Sequence, residues 1–218
     1  VINNIERVAS LFLVKTTYAL FFAIFTIVSG SAFPFLPRHL TLVGTLTIGT
    51  PAFFLALAPN DQPVRAGFLG RVLRIAIPGG LLASVSTFIA YTIARQSDLD
   101  PDPDRALAMA RTTATIVLAA CAILILVRVA RPFAVWKIAL VTIMAVFIAL
   151  TMIVPFLRDF FEIVMPPSGT VVMMTVVVAI TAALLPVVWR VGERAVGWGE
   201  QVLQRRREGR VDTSAPAS

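Results

Sequence analysis

Between Pro37 and Asn60 runs the sequence PRHLTLVGTLTIGTPAFFLALAPN, whose middle carries four threonines, two glycines and a proline, at Thr41, Gly44, Thr45, Thr47, Gly49, Thr50 and Pro51. The stretch is long enough to cross a bilayer, and a span that served only as an anchor would be Leu, Ile and Val throughout. Gly and Pro loosen the backbone ladder, so that freed carbonyls join the threonine hydroxyls in presenting neutral oxygens at membrane depth. An ion or polar substrate leaving water needs such oxygens in place of its hydration shell.

A second polar group precedes it, at Lys15, Thr16 and Thr17. Lys15 lies about two turns inside the apolar limit of its segment, which leaves two readings. Its long stem can carry the ammonium to the headgroups, or the charge can stay in the bundle and help to release or exclude a cation.

These residues must be positioned by membrane helices. The chain of 218 residues is 58% hydrophobic and 14% charged, well short of the roughly 25% charge of a soluble domain. Six stretches have the length and apolarity of spans, at about 8–30, 38–58, 73–94, 107–127, 133–156 and 169–189. The expected fold is all-α, a polytopic six-helix bundle filling residues 1–190, with a basic tail over 191–218 that could lie on an anionic leaflet. The alternating segments of a β-barrel are missing. Thirteen of the nineteen Lys and Arg residues fall on the side of the N-terminus, so both termini are expected in the cytoplasm. The same division among separate loops explains the net charge of +7 without nucleic-acid binding.

The first apolar stretch runs unbroken from Ile2 to Gly30. At 1.5 Å per residue a helix of this length reaches about 43 Å and must project beyond the hydrocarbon core, carrying Asn3, Asn4, Glu6 and Arg7 with it. Pro78, Gly79 and Gly80 are expected to interrupt the third span and to let neighbouring helices approach.

Other candidates fall away on chemistry. All twelve acidic residues lie outside the spans as drawn, so this chain alone has no strong divalent-cation site. The loop QSDLDPDPD lacks the glycine and terminal glutamate of a calcium-binding hand and reads as solvated. His39, the sole histidine, reads as a boundary residue; Cys121, the sole cysteine, excludes a thiolate cluster; Met173 and Met174 read as packing. Neither a nucleotide-binding loop nor a hydrolytic motif is seen, no secretory signal is evident, and the missing initiator Met suggests a chain whose beginning lies upstream.

VINNIERVASLFLVKT, a long helix with Asn-Asn at its start, resembles the stalked fifth transmembrane helix of cation-transporting P-type ATPases, and PRHLTLVGTLTIGTPAFFLALAPN is similar to their unwound sixth helix. The six spans then correspond to the fifth to tenth helices, in a bacterial branch for which calcium is a proposed ion, and the resemblance implies a place in the bacterial plasma membrane. The resemblance implies the membrane portion of an ATP-driven pump whose phosphorylation and nucleotide-binding domains, with their ATP and Mg, and first four helices lie upstream. It implies an ion path along Thr16, Thr17, Gly44, Thr45, Thr47, Thr50 and Pro51, coupling to the cytoplasmic domains through Asn3 and Asn4, and Lys15 as a built-in counter-ion. Where calcium pumps of the family carry Asn and Glu on the fifth helix, this chain has Thr16 and Ala19; for Asn, Thr and Asp on the sixth it has Gly44, Thr47 and Ile48. Thr47 alone is retained as a metal ligand, which points to a single site completed by the upstream half. A stand-alone secondary transporter and a structural or interaction subunit are the competing readings.

Overall fold

The computed structural model describes the backbone of residues 2–58, 67–97 and 100–212, and the side chains of residues 4–58, 67–97 and 100–192. Every regular element among them is helical: α1 (Ile2–Ser29), α2 (Pro37–Gly44), a π-helical segment (Thr45–Gly49), α3 (Thr50–Leu57), α4 (Phe68–Gln96), α5 (Pro103–Val129), α6 (Val135–Ile153), α7 (Pro155–Phe161) and α8 (Ser168–Asp212). Six of the resulting rods are long and apolar enough to span a bilayer, with α2, the π segment and α3 forming one of them, and the chain is a multi-pass membrane protein. The basic tail expected over 191–218 continues α8 as far as Asp212, and its side chains beyond Gly192 lie outside the described residues, as do Asn3, Pro59, Asn60 and Asp98.

Burial identifies the centre. In α5, 67% of the most apolar window is buried, against 17% for the last span, so α5 is the core post and α8 a peripheral helix with its outer face toward lipid. Alanines make this possible: Ala110, Ala114, Ala119 and Ala122 are buried on α5 and let backbones come close. The middle rod α4 packs on α1, α5 and α8.

The sequence PGG at 78–80 behaves differently from the expected interruption. The helix continues through it from Phe68 to Gln96, starting well before the span drawn from hydropathy. Pro78 has no N–H, and near this break the Trp189 indole of α8 donates to the Ile75 carbonyl at 3.2 Å. The two glycines face different partners: a Cβ on Gly79 would sit 3.5 Å from Ile125 of α5 and from Trp189, whereas one on Gly80 would sit 2.7 Å from Thr17 Cβ and 3.0 Å from the Val14 carbonyl of α1. A further close approach places Gly192 of α8 over the Pro78 ring.

Polar contacts fix the loops. His39 is fully buried, and its Nδ1 accepts from the Leu36 N–H at 3.3 Å, which assigns the proton to Nε2 and its bond to the Phe161 carbonyl at 2.9 Å. Arg38 donates to the Phe160 carbonyl at 2.8 Å and pairs with Glu162 at 3.0 Å. The boundary histidine is therefore a clamp between the start of α2 and the end of α7. The loop before it is held by the Tyr91 hydroxyl on the Ala32 carbonyl at 2.8 Å and by Arg111 on Phe33 at 3.2 Å. In the acidic loop, Asp100 accepts from the Asp102 N–H and Asp102 caps α5 through the Asp104 N–H, so these carboxylates satisfy local backbone donors.

Candidate functional site

The polar stretch folds as two short α-helices joined by a π-helical turn. Its backbone widens at Thr45, where the Thr50 N–H reaches back five residues to the Thr45 carbonyl. Pro51 follows immediately and brings no N–H, so the carbonyl one turn back, on Leu46 or Thr47, receives no backbone bond from it. The rod is thus one span whose middle offers oxygens.

A groove of about 560 Å³ opens between this span and α1. Phe12 and Lys15 line it from α1, Leu40, Thr41 and Gly44 from α2, Thr45, Ile48 and Gly49 from the π segment, and Thr50 and Phe53 from α3. The Thr41 hydroxyl is turned onto its own helix at the Pro37 carbonyl, 3.0 Å away. Those of Thr45 and Thr50 make no hydrogen bond among the described residues and remain available in the groove. Lys15 lies alongside Gly44, its Nζ 3.3 Å from where a Cβ on that glycine would be. The ammonium thus occupies the groove wall at the height of the π turn, and the missing side chain at Gly44 makes the space for it.

Four of the expected ion-path residues stand elsewhere. Thr47 is 1% exposed, absent from the groove lining, and its hydroxyl donates to the Val43 carbonyl at 2.7 Å. Thr16 is exposed and bonds back to Phe12, and Thr17 bonds back to Leu13 at 2.8 Å and packs on Gly80. Pro51 is buried. The structure therefore gathers Lys15, Gly44, Thr45 and Thr50 at one surface and leaves Thr16, Thr17, Thr47 and Pro51 out of it. Among the described residues no group of three or more His, Cys, Asp and Glu is placed to hold a metal ion.

The projecting end of α1 is tied to the same span. Asn4, 5% exposed, donates from Nδ2 to the Ala56 carbonyl at 3.1 Å, in the last turn of α3, and to that of Ala58 just beyond it. Glu6 meets Arg71 of α4 in a two-oxygen pair with contacts of 2.8 to 3.1 Å, and Arg7 donates to the Arg131 carbonyl at 3.3 Å. One end of α1 thus touches the exit of the polar span, α4 and the α5–α6 loop. Asn4→Leu is expected to destabilise the fold by about 2 kcal/mol, the cost of leaving buried carbonyls without their donor, read as a lower melting temperature in detergent; an unchanged melting curve would remove Asn4 as the clamp.

Sequence reasoning missed the Ser86–Thr181 bond, 2.7 Å long and buried between α4 and α8, and the Thr112 hydroxyl that accepts from the Val164 N–H at 3.0 Å. Lone hydroxyls in apolar spans carry no pattern that announces a partner far along the chain.

Comparison with known proteins gives a consistent result. The chain is 35% identical over 209 residues to the calcium-transporting ATPase CtpE of Mycolicibacterium smegmatis, covering 90% of this chain and 26% of that protein. It is 34% identical over 207 residues to the calcium-transporting ATPase CtpE of Mycobacterium tuberculosis, with the same coverage. Over 94 residues, 39% of this chain, it is 33% identical to a Streptococcus pneumoniae protein named "Probable cation-transporting ATPase exp7". The chain spans about a quarter of the length of the CtpE proteins it matches. No family model and no solved structure matches it.

Proposed function

We propose that this chain is the membrane portion of an ATP-driven cation pump of the P-type class, that calcium is the exported ion, and that the groove between α1 and the π-broken span is one wall of its path. The carrying observation is that groove: free Thr45 and Thr50 hydroxyls beside a backbone opened by the π turn and Pro51. Similarity to calcium-transporting ATPases across 90% of the chain supports the reading. Calcium takes about six to eight oxygen ligands, some of them charged, and among the described residues no carboxylate lines the groove. The remaining ligands and the negative charge are assigned to the upstream half of the full-length polypeptide, together with ATP and Mg. Both termini then lie in the cytoplasm of a bacterial cell, where Asn3 and Asn4 of α1 transmit movement of the phosphorylation domain.

The test is ATP-dependent calcium uptake into inverted vesicles by the full-length polypeptide. Thr45→Val with Thr50→Val keeps shape and removes both hydroxyls, and uptake at subsaturating calcium is expected to fall by about tenfold, the loss of roughly 1.4 kcal/mol of ion binding. Unchanged uptake would remove the groove from the path. Gradient-driven flux without ATP would favour a secondary carrier.

A further inference from the structure

A second groove, of about 380 Å³, lies between α5 and α8, away from the proposed ion path. Its lining divides by position along the helices. Arg128 in the last turn of α5, Arg131 just beyond it and Arg190 near the end of the last span bring three guanidinium groups to one rim. Deeper, toward the bilayer centre, the walls are apolar, with Leu124, Val127 and Leu185. Among the described residues no carboxylate lines the groove. Two of the arginines are held by stacking: Arg128 lies over the Trp189 ring at 5.8 Å and Arg131 over Phe133 at 5.3 Å. Trp189 is itself fixed by its bond to the Ile75 carbonyl. Because α8 buries so little of its surface, the groove opens toward lipid.

We propose that this groove binds one anionic phospholipid, its phosphate among Arg128, Arg131 and Arg190 and an acyl chain along the apolar wall. The match is of charge and of depth. Guanidinium groups take phosphate oxygens in forked pairs, and a lipid with its headgroup at the helix ends places its chain where the lining turns apolar. A free phosphate uses the rim alone and leaves the wall without a role. The site is independent of the cation reading.

The test reconstitutes the full-length polypeptide in nanodiscs of phosphatidylcholine with a minor share of phosphatidylglycerol, and measures by mass spectrometry the lipid retained on extraction. Phosphatidylglycerol is expected to be enriched on the unaltered protein and to fall by about tenfold or more in Arg128→Gln/Arg131→Gln/Arg190→Gln, each basic residue near an anionic surface being worth up to roughly fivefold. Arg95→Gln/Arg105→Gln/Arg158→Gln, at the other ends of α4 and α5 and on α7, removes the same charge outside the groove; an equal loss there overturns the site. Ala182→Phe fills the wall without altering charge and is expected to reduce retention as well, and full retention would overturn the acyl contact. Displacement by added inorganic phosphate would reassign the rim to a free anion and overturn the lipid.

Discussion

Gly80→Val is expected to destabilise the chain by about 3 kcal/mol, the upper end of the usual overpacking range. In a helix interior a glycine normally weakens the helix by about 1 kcal/mol relative to alanine, so on an open face even Gly→Ala gains stability. Gly169, in the first turn of α8, has such an open face, since nothing lies within 4 Å of where its Cβ would be. At Gly80 the sign reverses, because the added carbon would meet Thr17 Cβ at 2.7 Å and the Val14 carbonyl at 3.0 Å. Neither is the movable end of a long side chain, so α1 must shift away from α4. That shift is resisted from both ends of α1: Phe25 stacks on Phe88 at 4.9 Å toward one end, and Glu6 pairs with Arg71 toward the other. Thermal unfolding in detergent reads the effect directly. Gly80→Ala should lower the midpoint, Gly169→Ala should raise it slightly, and Gly80→Ala combined with Thr17→Gly should recover part of the loss by moving the methyl group across the interface. A Gly80→Val protein as stable as the parent would mean that α1 and α4 do not pack this closely.

The outline of this fold was legible because hydropathy alone places apolar rods in a bilayer. Their ends were less so: α4 begins at Phe68, since Arg71 is drawn into the helix by Glu6, an ion pair between residues far apart in the chain. The facing of the threonines was hidden for a more specific reason. On an ordinary α-helix Thr45 and Thr50, five residues apart, would lie roughly 140° from each other. The π segment between them takes up the extra residue in one wider turn, so both reach the groove while Thr47 faces inward. A helical wheel drawn on the sequence assumes a constant turn and cannot register the slip. Composition marked the stretch as polar at membrane depth; the backbone decided which oxygens face outward. His39 shows the same limit, because its partner at Phe161 follows α4, α5 and α6 in the chain.

Lys15→Met is expected to tighten apparent calcium binding by about tenfold or more while slowing turnover, if the ammonium serves as the counter-ion of the proposed path. At an effective dielectric of about 20, a divalent ion roughly 8 Å from a unit positive charge is repelled by about 4 kcal/mol. The groove is open to its surroundings and Lys15 is exposed in this chain, so only a fraction of that repulsion survives screening. Even about 1.4 kcal/mol of it corresponds to tenfold in binding. Removing the charge lowers the energy of the occupied site and raises the barrier to release; half-saturation of calcium-stimulated ATP hydrolysis should shift down and maximal rate should fall with it. Lys15→Arg keeps the charge and should stay near the parent. Gly44→Ala separates charge from shape: its methyl carbon would stand 3.3 Å from Nζ, a distance the flexible side chain relieves by moving the ammonium away from the π turn. An intermediate shift in half-saturation is therefore expected with no loss of fold. Snorkelling predicts otherwise, because a lysine that only reaches for headgroups contributes nothing to the ion's energy in the groove; unchanged half-saturation in both Lys15→Met and Gly44→Ala would identify it as that.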